Sequence, residues 1–183
     1  AAAESEVLHA DGRVFLQSTR FDRTPLLGRH GLVSLAALDA AHYGHGRIDW
    51  WKFAPQLQRD GWLTAADARA LAIRGWFGAL IGNTDMHLGN ASMVLADARP
   101  LPLAPSYDML PMALRPASTG EVVARTLEIP APLPEHRTDW VSAAVMASLF
   151  WERVANADGI SPSFRDIGAV QLQKLDAARR RFG

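Results

Sequence analysis

The chain has 183 residues, of which 49% are hydrophobic and 21% charged, and its 19 basic residues balance 19 acidic ones. This length suffices for one domain, and the composition is typical of a soluble globular protein. The charge balance gives no support for direct nucleic-acid binding, and the absence of cysteine excludes disulfides and a cysteine nucleophile. No apolar run reaches the roughly 18 residues of a membrane helix, and the N-terminus lacks the regions of a signal peptide, so we expect a cytoplasmic protein without a membrane partner.

The N-terminal segment predicts two short extended stretches around the turn signal Asp11-Gly12, the second running from Val14 to Ser18. A lone hairpin is marginal in water. We therefore expect this hairpin to pack against other elements, as the end of a sheet whose earlier strands lie upstream of residue 1.

Helical patterns follow the N-terminal segment. Ser34 is a candidate N-cap of a short helix that ends near Gly44, and residues 48–63 predict a helix or an irregular pair of segments. The clearest helix follows Thr64, which lies three residues before Asp67 in an arrangement like a capping box. This helix is predicted to end at the stop signal "GN", residues 82–83.

Beyond this helix, Ser92–Leu95 predicts a short strand, and "LPLAPSYDMLP" predicts a second extended run that Pro111 ends, so the two suggest a hairpin. The proline-rich segment 112–136 predicts a long loop.

Two helices are predicted for the C-terminal part, at about 138–156 and 163–181, with Thr138 and Ser163 as candidate caps. The basic residues Arg179 to Arg181 would complement the dipole of the last helix.

A cluster of polar residues, "IGNTDMHLGN" at 81–90, follows the central predicted helix. Asn90 stands at the entry to the first strand of the predicted hairpin and Asp108 at the exit of the second, so antiparallel pairing brings them to the same end. Asp85 lies in the loop that leads into that end. Two carboxylates and one amide oxygen suit Mg²⁺, which proteins commonly hold with one or two carboxylates plus substrate phosphates, so the implied substrate is a nucleotide.

The spacing Asp85-x4-Asn90 is also that of the catalytic loop of protein kinases. A kinase site divides its work between a loop aspartate near the acceptor hydroxyl and a later aspartate and an asparagine on the metal ions. The strand, turn and strand that lead to Asp108 reproduce this order.

These motifs resemble a known family. "GNTDMHLGNASMVL" followed by "LAPSYDMLP" is similar to the C-terminal lobe of the HipA-like serine/threonine kinases, the toxin kinases of bacterial toxin–antitoxin systems. The resemblance implies that Asp85 is the catalytic aspartate, that Asn90 and Asp108 are magnesium ligands, and that the cofactors are ATP and Mg²⁺. His87 is interpreted first as a residue that orients the loop by hydrogen bonding, and it is kept among the candidate nucleotide-binding residues.

The segment "STRFDR" resembles the hinge of the same family, which implies that the backbone of Thr19, Arg20 and Phe21 contacts adenine. The expected fold is α+β and mainly α, a protein-kinase-like C-terminal lobe with a few short antiparallel strands. Residues 1–24 would form the end of the N-terminal lobe and the hinge strand, and residues 25–183 the helical lobe. The phosphate-covering loop and strand lysine of the family would lie upstream, so this chain would lack most of the N-terminal lobe.

The resemblance implies transfer of the ATP γ-phosphoryl group to a serine or threonine hydroxyl of a protein substrate, with a DNA-binding antitoxin as a partner. A small-molecule phosphotransferase of the aminoglycoside type stays open as an alternative, because it uses a similar aspartate–asparagine loop and a later aspartate. A non-catalytic kinase-like interaction module stays open as well.

Two other patterns have structural and functional interpretations. Trp50, Trp51, Trp62 and Trp76 predict core packing, against the alternative of a platform on which bases stack. The pair His42 and His45 lies close to Asp49, as some metal sites require, but the neighbouring glycines favour a turn.

Overall fold

The computed structural model describes residues 1–26, 28–121 and 125–183. Within these ranges the chain is mainly helical with short antiparallel strands, which confirms the predicted fold class. The strands are β1 (Ser5–Ala10), β2 (Arg13–Ser18), β3 (Leu32–Ser34) and β4 (Ser92–Val94). The helices are α1 (Leu35–His42), α2 (Trp50–Arg59), α3 (Ala65–Ile81), α4 (Arg137–Asn156) and α5 (Pro162–Phe182).

Strands β1 and β2 form the predicted N-terminal hairpin. They pair antiparallel from Ser5 opposite Ser18 to Ala10 opposite Arg13. The turn at residues 11–12 has positive φ angles of 49° and 71°, the combination that two-residue hairpin turns favour. Every residue of both strands is exposed, so local pairing and turn chemistry alone shape this element.

A second small sheet lies next to the candidate site. Strand β3 pairs antiparallel with β4, with Val33 opposite Met93. On the other edge of β4, the Val94 N–H donates to the carbonyl of Pro102 at 2.9 Å. The predicted return of the chain alongside β4 is thus confirmed, although residues 102–104 contribute a single bridge rather than a strand. Strand β3 was not predicted, because three residues are too few to show an alternating pattern.

The helix α3 begins and ends where the sequence predicts. The Thr64 hydroxyl oxygen accepts the Asp67 N–H at 3.0 Å, and Gly82 ends the helix with a left-handed φ of 77°. Its first half packs into a core with α1 and α2 through residues such as Leu71, and its second half packs through Leu80 into a core with α4 and α5. This central helix leads directly into the polar cluster at 83–90, so both cores fix the position of that cluster.

The predicted caps of the last two helices were wrong. The N-cap position of α4 is His136 and that of α5 is Ser161, rather than Thr138 and Ser163, and neither side chain makes a capping hydrogen bond. Pro162 explains the second difference, because its fixed φ and missing N–H suit the first helical position and leave Ser161 as the cap. A 3₁₀ turn at 134–136 runs directly into α4, so that helix begins one residue earlier than expected.

The segment between the small sheet and α4 has little regular structure, as predicted. It contains 3₁₀ turns at 112–114 and 134–136, and part of the predicted loop, residues 122–124, lies outside the described residues. No helix in the described ranges combines the length and apolar character that a bilayer crossing requires.

The tryptophans pack as predicted. Trp50 and Trp76 are 2% and 3% exposed, Trp51 stacks on Trp76 with centroids 4.1 Å apart, and the guanidinium of Arg99 lies 3.1 Å from the centroid of Trp62. These contacts leave the rings inside the fold or covered by it. Core packing, and not a base-stacking platform, is therefore their role in this structure.

The histidine pair also has structural partners. His45 Nε2 lies 2.9 Å from Gln56 Oε1, and the His42 ring packs against Trp62. Asp49 pairs with Lys52 at 2.7 Å. Gly44 and Gly46 both have positive φ angles, so this segment is the turn that its glycines indicate.

Candidate functional site

The loop after α3 is shaped by Asn83, which is 8% exposed. Its Oδ1 accepts the N–H of Asp85 at 2.9 Å, and its Nδ2 lies 3.4 Å from the carbonyl oxygen of Asp108. One buried side chain therefore links the backbones of both aspartates, although they lie far apart in the sequence. This contact agrees with the interpretation of Asn83 as a loop-shaping residue.

His87 shapes the next turn of the same loop. Its Nδ1 accepts the Gly89 N–H at 3.0 Å, and its carbonyl accepts the Asn90 N–H at 3.1 Å, which forms a 3₁₀ turn over residues 88–90. The other ring nitrogen, Nε2, lies 4.0 Å from Asp85 Oδ1. These contacts agree with a loop-orienting role, and they put the ring beside the candidate catalytic carboxylate.

Asn90 joins the two aspartates. Its Nδ2 donates to the carbonyl oxygen of Asp85 at 2.9 Å and to Oδ2 of Asp108 at 3.3 Å. The convergence of these residues, predicted from one hairpin, is thus present in the structure. Within the described residues the Oδ1 of Asn90 accepts no hydrogen bond, so both donor bonds orient this oxygen while leaving its lone pairs free.

Tyr107 holds the segment that carries Asp108 against the loop. Its hydroxyl donates to the Gly89 carbonyl at 3.0 Å and lies 2.6 Å from the hydroxyl of Ser92, which therefore donates to it. Asp108 itself has a φ of 53°, a left-handed conformation that is uncommon for residues other than glycine. Sequence reasoning missed Tyr107, and its position directly before Asp108 was the one available signal.

A cavity of about 920 Å³ opens beside this cluster. Thr19, Arg20 and Phe21 contribute to its lining, and so do Tyr107 and Asp108. The ring of Phe21 stacks on that of Tyr107 with centroids 5.8 Å apart, so an aromatic wall connects the predicted hinge to the aspartate. The volume lies within the range of small-molecule sites.

Not every candidate residue lines this cavity. Asp85, His87 and Asn90 lie outside its lining and adjoin it through Asp108, with which Asn90 is bonded. The structure therefore divides the candidates into a hinge group inside the cavity and a loop group at its edge, with Asp108 common to both.

The hinge is held by a compact ion cluster. Arg20 contacts both carboxylate oxygens of Asp22, at 2.8 and 2.6 Å, and Arg23 donates to Oδ2 at 2.6 Å. The hydrogen bonds from Arg20, together with the charges of both arginines, lower the pKa of Asp22 to about 2 despite its burial. The charge of Arg20 is thus neutralised locally, so we assign its side chain a structural role at the hinge.

The hinge backbone is partly engaged. The Thr19 N–H donates to the Glu4 carbonyl at 2.9 Å, which joins the predicted hinge to the residue that precedes β1. Among the described residues, the N–H groups of Arg20 and Phe21 have no acceptor. Of the three predicted adenine contacts, these two therefore keep a free backbone donor.

The oxygen donors fit one hard cation. Among the described residues no cluster of three or more histidine, cysteine, aspartate or glutamate side chains is arranged to hold a metal. Asn90 and Asp108 instead offer an amide oxygen and a carboxylate on two neighbouring side chains, which are joined by the bond from Asn90 Nδ2 to Asp108 Oδ2. Such a pair suits Mg²⁺, which keeps several waters or phosphate oxygens in its coordination sphere.

A family model, the HipA-like C-terminal domain, matches residues 1–168 of this chain. The chain belongs to this family. The match includes the hinge, the polar loop and Asp108, so the residues that carry the sequence resemblance lie inside the family's own boundaries.

Among curated proteins, Toxin YjjJ of Escherichia coli (strain K12) is 34% identical over 175 residues, which is 95% of this chain and 39% of that protein. The chain therefore spans well under half the length of this relative.

Two solved structures share the fold. The first is HipA of Shewanella oneidensis MR-1, solved as a toxin–antitoxin complex of HipA, HipB and its operator DNA, with 14% identity and a TM-score of 0.58 over 99% of this chain and 51% of that chain. The second is the proinflammatory kinase CtkA of Helicobacter pylori, with 13% identity and a TM-score of 0.61 over 98% of this chain and 76% of that chain. The predicted kinase-like C-terminal lobe is confirmed.

Proposed function

We propose that this chain is the catalytic lobe of a HipA-like toxin kinase that transfers the γ-phosphoryl group of ATP to a serine or threonine hydroxyl of a protein. The observation that carries the proposal is the position of Asn90, whose amide bonds both the Asp85 backbone and the Asp108 carboxylate at the edge of the hinge cavity. Family membership and the relative named as a toxin support it.

In this proposal, Asp85 accepts or orients the proton of the attacking hydroxyl. Its side chain is 51% exposed, so a protein substrate can approach it from solvent. The backbone of the loop is fixed by Asn83, which holds the N–H of Asp85. The backbone that carries this carboxylate is thus held before substrate binds, which favours general-base assistance.

The adenine would lie at the hinge, against the ring of Phe21 and the N–H groups of Arg20 and Phe21. The phosphates would extend from there toward Asp108, which lines the same cavity. Asn90 Oδ1 and Asp108 would hold Mg²⁺, which when bound neutralises charge on the transferring phosphoryl group. The donor bonds of Asn90 keep its oxygen oriented for that ligand.

We also propose a DNA-binding antitoxin as partner. The HipA structure that shares this fold is described as a complex with HipB and operator DNA, and this supports the proposal. Residues 1–24 would be the end of the N-terminal lobe, and the remainder of that lobe would supply the phosphate-covering wall.

The test is Mg·ATP phosphotransfer by the full-length protein, measured with radiolabelled ATP on a bacterial proteome. We expect Asp85→Asn and Asp108→Asn to lower transfer by about 10²-fold or more, since each replacement removes a charge and keeps the side-chain size. Asp97→Asn is the matched control, because Asp97 is exposed in the turn after β4 and should leave transfer unchanged.

Transfer that is equal in the wild type and both site variants would contradict the proposal. Transfer to aminoglycosides in place of proteins would support the small-molecule alternative. Tight binding of an antitoxin without any transfer by the wild type would support a non-catalytic module.

A further inference from the structure

Each of the two candidate aspartates is followed by a methionine, and both methionines pack on the same glycine. Gly78 lies in α3, one turn before its end, and the sulfur atoms of Met86 and Met109 both lie over it. A Cβ at residue 78 would overlap the Met86 sulfur and would lie 3.1 Å from that of Met109. Only glycine leaves room for both thioethers at this point of the helix.

We propose that Gly78 is a positioning residue of the site: the notch that it forms, together with Met86 and Met109, sets the positions of Asp85 and Asp108 relative to each other. The notch gives two segments from distant parts of the sequence one shared reference point. This inference rests on the proposed function for its catalytic consequence, but the geometric claim stands without it.

The part of α3 that forms the notch is rigid. Helix α3 contributes Leu71, Leu80 and Ile81, each at most 1% exposed, to the two cores on either side of it. At residue 78 the two loops meet the helix through the sulfur atoms of Met86 and Met109, and an added Cβ would overlap the first and crowd the second. An added methyl at residue 78 should therefore shift the loops while leaving the helix in place.

Asn83 contacts both loops close to the notch. Its Nδ2 lies 3.4 Å from the Met109 sulfur and 3.4 Å from the Asp108 carbonyl, while its Oδ1 holds the Asp85 N–H. A displaced thioether would therefore disturb both aspartates through this side chain. Because misplacement of reacting groups by about 1 Å can cost about 10²-fold in rate, the notch matters for chemistry even if the fold tolerates its loss.

The decisive variant is Gly78→Ala, with Gly75→Ala as its matched control. Both glycines are buried in α3, and alanine favours the helix at each position. A Cβ at residue 75 would meet Trp50 and Trp51 at 3.0 Å, away from the two aspartates. The control therefore introduces the same substitution into the same helix without touching the notch.

The first readout is the backbone amide spectrum of isotopically labelled protein. In Gly78→Ala we expect the amide resonances of Asp85 and Asp108 to move further than those of Thr19 and Phe21, and in Gly75→Ala we expect no such displacement. Adding Met86→Ala to Gly78→Ala frees space and should return both resonances toward their wild-type positions. Unmoved Asp85 and Asp108 resonances in Gly78→Ala would overturn the proposal.

The second readout is phosphotransfer by the full-length protein. We expect Gly78→Ala to lower kcat by about 10-fold or more because it displaces the two aspartates, and to raise the KM for Mg·ATP as well because Asp108 and Met109 line the cavity proposed for the nucleotide. Displaced resonances with an unchanged kcat would show that the notch does not matter for the reaction. A wild type without transfer would contradict the proposed function, whereas the amide spectra would still decide whether Gly78 positions the two aspartates.

Discussion

The N-terminal hairpin and the body formed by α3, α4 and α5 are held by different forces. In the hairpin, Val14 and Phe15 are 68% and 48% exposed, although both are apolar residues in the middle of a strand. In the body, Trp140 and Trp151 are fully buried between helices. The comparison shows that backbone pairing and turn chemistry can define a strand pair completely, while its side chains still lack a surface to pack against.

Both faces of the hairpin are apolar. Val7 lies opposite Leu16 on one face, and Leu8 lies opposite Phe15 on the other. An isolated two-stranded hairpin is marginally stable at best. The hairpin therefore exposes apolar side chains on both faces, whereas the helical body buries its apolar side chains in its own core.

The largest expected effect is at the centre of that core. Trp151→Ala should lower the free energy of unfolding by about 3–5 kcal/mol, because it leaves a cavity between α3 and α4 and removes the indole contact to the Leu80 carbonyl. Phe15→Ala in the hairpin should cost less than about 1 kcal/mol, since the ring is half exposed. Urea unfolding of the 183-residue chain measures both.

If Phe15→Ala lowered the free energy of unfolding as much as Trp151→Ala does, the comparison would be contradicted, because the hairpin would then have to share the core of the body. Val14→Ala is a second control, with an exposed side chain on the opposite face of the hairpin. We expect it to behave as Phe15→Ala does.

A smaller effect on stability is expected at the N-termini of two helices of the body, and it should differ between them. The Thr64 hydroxyl caps α3 with a hydrogen bond of 3.0 Å, whereas Ser161, at the cap position of α5, makes no such bond. Thr64→Ala should therefore cost about 1 kcal/mol of unfolding free energy, and Ser161→Ala less than about 0.5 kcal/mol. Equal costs in urea unfolding would show that these two caps do not differ as the structure indicates.

These elements show which features are visible in a sequence. The hairpin turn, the Thr64 cap and the Gly82 stop were predicted because each depends on a few neighbouring residues with defined backbone preferences. The cap of α5 was misplaced because a proline at the first helical position was not weighed against a nearby serine, and the cap of α4 was misplaced because a 3₁₀ turn at 134–136 runs directly into that helix. Strand β3 was missed because its partner lies far along the chain.

The candidate site also has some features that the sequence predicted and others that it did not. The convergence of Asp85, Asn90 and Asp108 was predicted, since it follows from one local hairpin and one loop spacing. The roles of Tyr107 and Gly78 were not predicted, because they depend on contacts between distant segments and on side-chain directions that no local pattern encodes. The assignment of the convergent residues to catalysis and metal binding stays a prediction.

The last expected effect is a pH dependence at Asp22, where the hairpin meets the rest of the chain. Its carbonyl accepts the His30 N–H at 3.0 Å, and its carboxylate is held by Arg20 and Arg23. Because the folded state lowers the pKa of Asp22 from 3.8 to about 2, chiefly through the hydrogen bonds from Arg20, the ionised carboxylate favours folding. That contribution is fully present above pH 3.8 and is lost as the pH falls toward 2.

Carbon-detected NMR of the Asp22 side chain should give a midpoint near 2 in the wild type and a midpoint shifted toward 3.8 in Arg20→Gln. Arg23→Gln should move the midpoint less, because Arg23 bonds one carboxylate oxygen of Asp22 whereas Arg20 bonds both. Arg13→Gln, in the exposed strand β2, is the control and should leave the midpoint unchanged. An Asp22 midpoint that is the same in Arg20→Gln and the wild type would mean that this ion cluster does not form in solution, and the hairpin would then join the body through backbone contacts alone.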